Sequence, residues 1–437
     1  MTMSVPLFRR GALSLLLIGS AVAFTAAAES LSDAWGKALR HDAGLAAVRL
    51  DTEAAVANMK AARAARLPQL EVGASYTRMA DAPALSINTA DFSFVSPRIF
   101  SNGDFVMRQA QVTLPIFAGG SLAAGVRAAE AGRSAAEADE RRAQAELKLV
   151  VAQSYLGVLR AERALRAATA SVEALNAHLA DVAAMVEVGD RPNTDLLASR
   201  VASSAAAQQL ARARLGLAVE LGNYNRRLGE PLDRAVELEA VPPVVLEVAT
   251  TDLPALQARA VRQRGELSGL QARADALRSA ARAELGKMLP TVALTASYQE
   301  FENTVLDRED FRMVGVGFRW ALFDGGQARH RATALRRGSE SMRERRNELE
   351  SLVQLEVQQS ALAIEAADAR VAMTRDAINE ANENLRITRE LYTEALVTNT
   401  AVLEAVALQT MAEAHAADAI YDAAIARLTL LKSLGEL

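Results

Sequence analysis

The 437 residues are 51% hydrophobic but only 4% aromatic, because 92 of them are alanine; small side chains of high helix propensity favour long, closely packed helices over the roughly three bulky cores that the length alone would allow. There is no cysteine, which removes disulfides, thiolate metal sites, thiol nucleophiles and an acylated N-terminal cysteine. The net charge is −4, with no basic footprint for nucleic acid, and His41, His178, His330 and His415 stand singly, without the neighbouring ligand that a metal-dependent enzyme needs.

The chain opens with Arg9-Arg10, an apolar stretch from Gly11 to Phe24 and Ala26-Ala27-Ala28, the layout of a secretory leader over 1–28. Its removal leaves Glu29 first and takes the net charge to −6. No later apolar run reaches the ~18 residues of a spanning helix. Leu31 to Arg66 reads as a shorter amphipathic helix. From Gln69 the period becomes two: Leu70, Val72, Ala74 and Tyr76 alternate with Glu71, Gly73, Ser75 and Thr77. Val106, Ala110, Val112, Leu114 and Ile116 share one parity, interrupted by Arg108. These predict a β-hairpin over about 69–117 with a variable loop from Ala80 to Asp104.

After Gly119-Gly120 no proline occurs until Pro192, and the period becomes seven. Val151, Val158, Leu165, Val172, Leu179 and Val186 form one seam position, with Leu147, Ser154, Ala161, Ala168, Leu175 and Val182 as the other. That is a heptad pattern. A helix from Ser121 to Glu187 would run on the order of 100 Å. Gly189-Asp190-Arg191-Pro192 makes a turn, and an Ala-rich return helix completes a helical hairpin over 121–228.

The whole pattern then recurs. Phe117-Ala118-Gly119-Gly120 returns 206 residues later as Phe323-Asp324-Gly325-Gly326, and Asn193-Thr194 and Leu228-Gly229-Glu230 return as Asn399-Thr400 and Leu434-Gly435-Glu436. Upstream the offset is 222, with Leu67-Pro68 returning as Leu289-Pro290. Two copies of one unit follow, 29–230 and 253–437, joined by a proline-bearing linker over 231–252. The second copy carries a helix from Leu253 to Met288, a hairpin over about 291–323 whose last strand alternates as far as Leu322, and a helical hairpin over 327–434. Its heptad seam holds Val357, Ile364, Val371, Ile378, Leu385 and Tyr392.

Strands of about ten residues suit an outer membrane when tilted, and 12 of the 17 aromatics left after leader removal fall in the two hairpin windows, as an aromatic girdle would. Four strands cannot close a barrel, since the smallest have about eight and an open edge in lipid strands its backbone polar groups. Several chains must contribute. A secreted coiled-coil adhesin would explain the heptads and leave the aromatic-rich strands without a reason. An exported enzyme needs a converging acid/base pair or metal site, and none emerges. The glycine pairs Gly119-Gly120 and Gly325-Gly326 lack a following Lys-Ser/Thr and read as strand-to-helix corners.

Leu31-Ser32-Asp33-Ala34, the two Leu-Pro pairs, Leu114-Pro115-Ile116-Phe117-Ala118-Gly119-Gly120, Trp320 to Gly326, and Val188-Gly189 with Thr194-Asp195-Leu196-Leu197, in this order and duplication, resemble the TolC-like outer-membrane efflux family. The resemblance implies a mixed α and β membrane protein with internal duplication: a homotrimer whose twelve strands form one barrel in outer-membrane lipid, continued by a periplasmic α-helical coiled-coil barrel. It implies an exit duct of a tripartite efflux pump or type I secretion system. Such a duct conducts passively after docking with a periplasmic adaptor and an inner-membrane transporter of RND or ABC type, without catalysis or a cofactor. The positions matching the family's periplasmic gate are Glu404, Asp195 and Tyr392. Read without the family, Glu404 is a solvated carboxylate, Asp195 a first-turn helix charge and Tyr392 a seam residue. The tip residues Gly189, Asp190, Arg191, Asn193 and Thr194, with Ala395, Thr398, Asn399 and Thr400, are candidates for contact with the adaptor. Ala395 stands where the family usually has a glycine.

Overall fold

The computed structural model describes residues 28–80, 84–98, 104–240, 252–301 and 307–437. The leader and the Pro242-Pro243 part of the linker lie outside the described residues. The first copy runs α1 (Leu31–His41), α2 (Ala43–Ala64), β1 (Gln69–Arg78), β2 (Ala84–Asn88), β3 (Ser93–Arg98), β4 (Asp104–Ala118), α3 (Ser121–Glu187) and α4 (Asn193–Leu228). The second runs α5 (Leu253–Gln263), α6 (Gly265–Gly286), β5 (Thr291–Phe301), β6 (Asp310–Arg319), α7 (Gln327–Thr393) and α8 (Asn399–Leu434). Equivalent helices have equal lengths: 67 residues in α3 and α7, 36 in α4 and α8.

Three expectations are corrected. Each leading helix is two helices. At Asp42 the chain turns extended, with φ −68° and ψ 119°, and the Asp42 carboxylate caps α2 by accepting from Leu45 N at 2.8 Å. Arg264 makes the same break in the second copy, its guanidinium paired with Glu266 and Glu356 at 3.0 and 2.8 Å. The variable loop carries a small hairpin of its own, β2 against β3. The last strand stops at Arg319 rather than Leu322, and the Trp320 indole N–H turns back to donate to the Met288 carbonyl at 3.0 Å.

β1, β4, β5 and β6 form one antiparallel sheet in the order β1-β4-β5-β6. The Pro115/Phe117 shift in β4 is a bulge, one of the few places a strand interior accepts proline. From the sheet each copy passes a corner where two successive glycines adopt positive φ, 59° and 77° at Gly119 and Gly120 and 67° and 83° at Gly325 and Gly326. An added Cβ at Gly119 would sit 2.1 Å from the Gly286 carbonyl oxygen, so only glycine serves there.

The heptad seam is buried or half-buried throughout. Val151, Val158, Val182, Val353, Val357 and Ser360 are covered, as are Ala168, Leu175, Ile364, Ala367, Leu385 and Tyr392. The largest apolar cluster lies midway along α3, where Tyr155, Leu156, Tyr224, Leu228 and Leu428 meet α1. Glu29 is buried there, paired with Lys37 at 3.0 Å and Arg234 at 2.9 Å, and accepts from the Tyr224 hydroxyl at 3.0 Å. A buried carboxylate held by two cations and a hydroxyl satisfies the charge that burial would otherwise penalise. The same burial pushes both tyrosine hydroxyls well above their ordinary pKa.

Candidate functional site

Two surfaces carry functional chemistry: the sheet and the distal ends of the long helices. In the sheet, Leu70 pairs with Val112, Val112 with Ala296 and Ala296 with Val314, so the even-numbered residues of all four strands share one face. On it Leu70, Val72, Tyr76, Val112, Leu294, Tyr298, Val314, Val316 and Phe318 are exposed in the single chain. The odd-numbered face carries Glu71, Ser75, Thr77, Gln109, Gln111, Thr113, Thr295, Ser297 and Gln299. An exposed apolar face backed by a polar one is the signature of strands between lipid and a water-filled lumen. Arg108, which interrupts the pattern, is paired on the same face with Glu300 at 2.8 Å, near the end of the sheet remote from the helices. β1 and β6, ten residues each, are the edges of the sheet.

At the distal end the two turns are conformational copies. Gly189 has φ 79°, and Ala395 repeats it with φ 62°, alone among non-glycine residues described. Asp190 N donates to Met185 O and Leu396 N to Leu391 O, both at 2.9 Å. A left-handed alanine costs about 1 kcal/mol over glycine, so the second turn keeps its shape against local strain.

The two hairpins join through a buried polar cluster. Asn399, the first residue of α8, is 2% exposed. Its Nδ2 donates to the Asp195 carbonyl at 3.0 Å and to Ser199 Oγ at 3.1 Å. Its Oδ1 lies 2.7 Å from His178 Nε2, and since Oδ1 can only accept, that nitrogen carries the proton. The Tyr392 ring packs edge-on to His178, centroids 5.3 Å apart, and under the Arg191 guanidinium at 4.6 Å. Arg191 Nη2 also donates to the Tyr392 carbonyl at 2.6 Å. A desolvated cation over an aromatic ring contributes ~1–2 kcal/mol. The Tyr392 hydroxyl is buried without a hydrogen-bond partner among the described residues. Burial pushes its pKa up, and the Asp195 carboxylate adds to the shift.

Of the three gate candidates, Glu404 is exposed on α8 one turn beyond Asn399. Asp195 lies in the first turn of α4 and offers its carbonyl, not its carboxylate, to the other hairpin. Within one chain the Asp195 carboxylate and the Tyr392 hydroxyl are not hydrogen-bonded; Arg191 and Asn399 make the link instead. Of the adaptor-contact candidates, Arg191 and Asn399 turn inward, their polar groups used between hairpins. Gly189, Asp190, Asn193, Thr194, Ala395, Thr398 and Thr400 stay exposed. His178 and Ser199 have no distinguishing sequence signal: they are one lone histidine and one of several serines on Ala-rich helices.

An exposed apolar sheet face, a polar face behind it and two helical hairpins on the order of 100 Å long make up a sheet suited to lipid that is continued by long paired helices. Residues 34–222 and 256–436 match the model of the outer membrane efflux protein family, one match for each copy. The chain belongs to that family: it is an outer membrane efflux protein. The fold is shared with CusC at 16% identity and a TM-score of 0.78, over 93% of this chain and 92% of that one. It is shared with VceC of Vibrio cholerae at 18% and 0.76, over 93% and 96%. The CmeC channel of Campylobacter jejuni matches at 15% and 0.78, over 93% and 85%. No curated protein matches the sequence.

Proposed function

We propose that three copies of this chain assemble into one twelve-stranded barrel and one periplasmic tunnel, a passive exit duct for substrates delivered by an inner-membrane transporter through a periplasmic adaptor. The observation that supports the reading is the sheet: four antiparallel strands with a lipid-type face and two open edges, which lipid does not tolerate. The up-down-up-down order leaves β6 antiparallel to the β1 of a following copy, so the unit repeats around an axis without a change of pairing. The adhesin reading has no use for such a sheet. The transporter is of RND or ABC type, and the exposed tip residues Asp190, Asn193, Thr194, Thr398 and Thr400 are the surface on which an adaptor docks. Glu404, repeated by the threefold axis, contributes a ring of negative charge at the periplasmic entrance, favouring cations.

Native mass measurement in detergent is expected to give a trimer, and a monomer alone would overturn the architecture. In planar bilayers, Glu404→Ala is expected to lose cation preference and sensitivity to multivalent cations. Unchanged selectivity would remove Glu404 from the gate and leave the channel. Crosslinking in vivo from Asn193 and Thr400 should capture an adaptor, and its failure at both tips would count against the docking surface.

A further inference from the structure

The duplication supplies a template for a contact that one chain cannot make with itself. Near the sheet α2 packs on α3, α3 on α6 and α6 on α7, leaving one side of α7 and one side of α2 without a helix. The α3 to α6 joint links the first copy to the second. Moved one repeat along, α3 becomes α7, 206 residues on, and α6 becomes α2, 222 residues back. Asp139 on α3 is ion-paired with Arg273 on α6. Their counterparts are Arg345 and Asp51: the same pair with the charges exchanged. Both are exposed, and neither has an ion-pair partner among the described residues.

Apolar residues lower on the helices repeat the relation. Leu156 and Leu149 on α3 share a cluster with Tyr421 and Ile425 on α8, and Leu156 is 1% exposed. The counterparts are Leu362 and Leu355 on α7, and Leu215 and Val219 on α4, which are 57%, 47%, 66% and 52% exposed. No joint between α4 and α7 is formed within the chain. In the sheet, β4 pairs with β5 with Ala110 opposite Tyr298; the counterpart sets Val316 of β6 opposite Tyr76 of β1.

We propose that the free edges meet between copies of this chain in the register of the internal repeat, with Arg345 of one copy against Asp51 of the next, Leu362 and Leu355 against Leu215 and Val219, and Val316 opposite Tyr76. This rests on the trimeric reading above and adds which residues touch. Charge exchange is what selects the occupant: a surface carrying Arg345 on one edge and Asp51 at the matching place on the other is complementary to a second copy of itself. Ala47 and Ala64 replace the tightly packed Gly269 and Gly286 of the in-chain joint, so the joint between chains is looser by about a methyl group at both points.

The test uses the full chain in detergent. Arg345→Asp and Asp51→Arg, each of which opposes like charges, should lower the temperature at which trimers fall apart on semi-native gels, and the double variant should restore it. Because the chain has no cysteine, the Tyr76→Cys/Val316→Cys variant reports only the introduced pair. Oxidation should link neighbouring chains covalently, whereas Val72→Cys/Val316→Cys, four residues out of register or about 13 Å along the strand, should not. Single charge variants that behave as wild type, or a double variant no better than the singles, overturn the helix register. Preferred linkage through residue 72 overturns the strand register. In either case wild-type trimers keep the channel reading intact, while wild type that is only monomeric removes both.

Discussion

The two copies are built to one length plan and differ in what they bury. Asn193 and Asn399 occupy the same place at the start of α4 and α8; the first is exposed and the second is 2% exposed, holding His178, Ser199 and the Asp195 carbonyl. Leu156 and Leu362 are likewise equivalent, one covered by α8 and the other open. Gly189 and Ala395 adopt one conformation, which only the first can adopt freely. The lesson is that duplication fixes the backbone while position relative to the other copy decides the chemistry of each site. The first copy has the second beside it on one edge, and the second copy has no neighbour within the chain on its far edge.

Substitutions at four sets of positions should separate the two copies. Leu156→Ala is expected to cost ~2–5 kcal/mol, as buried leucine truncations do, in denaturant unfolding of the detergent-solubilised chain. Leu362→Ala should cost far less in a monomer and a comparable amount in the assembled channel, and equal effects in both states would remove the distinction between the edges. Asn399→Ala leaves the His178 N–H buried without its partner, at ~1–3 kcal/mol, while the Asp195 carbonyl keeps its place in the α4 hydrogen-bond ladder. The loss should appear as protease nicking at the distal turns, with Asn193→Ala as the indifferent counterpart. Arg191→Ala removes both the ring contact and the hydrogen bond to the Tyr392 carbonyl, so ~1–2 kcal/mol of tip stability should go. Faster hydrogen exchange confined to the last turns of α3 and α7 would show it. The smallest effect is at the turns themselves. Ala395→Gly should stabilise the second turn by roughly 0.5–1 kcal/mol once the freedom of glycine in the unfolded chain is counted, and Gly189→Ala should destabilise the first by a similar amount. Equal thermal midpoints for both would mean that the left-handed alanine carries no strain.

Local patterns determined much of this architecture. The offset of 206 residues made α7 the equivalent of α3 and α8 that of α4, the period of seven set which face of each helix is apolar, and the period of two set which face of each strand is apolar. Each depends on spacing within one segment, which a sequence displays directly. The glycine pairs at the corners were legible for the same reason, since a positive φ selects the residue type on the spot. What tertiary structure decided depends on which segment arrives as a neighbour. Asp42 and Arg264 break the leading helices where a cap and an ion pair are available. Trp320 leaves the strand because a carbonyl of the preceding turn lies within reach. Arg191 and Asn399 turn from solvent into the join between hairpins, and His178 becomes the partner of an asparagine 221 residues away. A polar side chain at a turn reads as exposed by default. Only the arrival of a second helical hairpin at 2.7 to 3.1 Å from its hydrogen-bonding atoms makes burial of Asn399 the lower free energy.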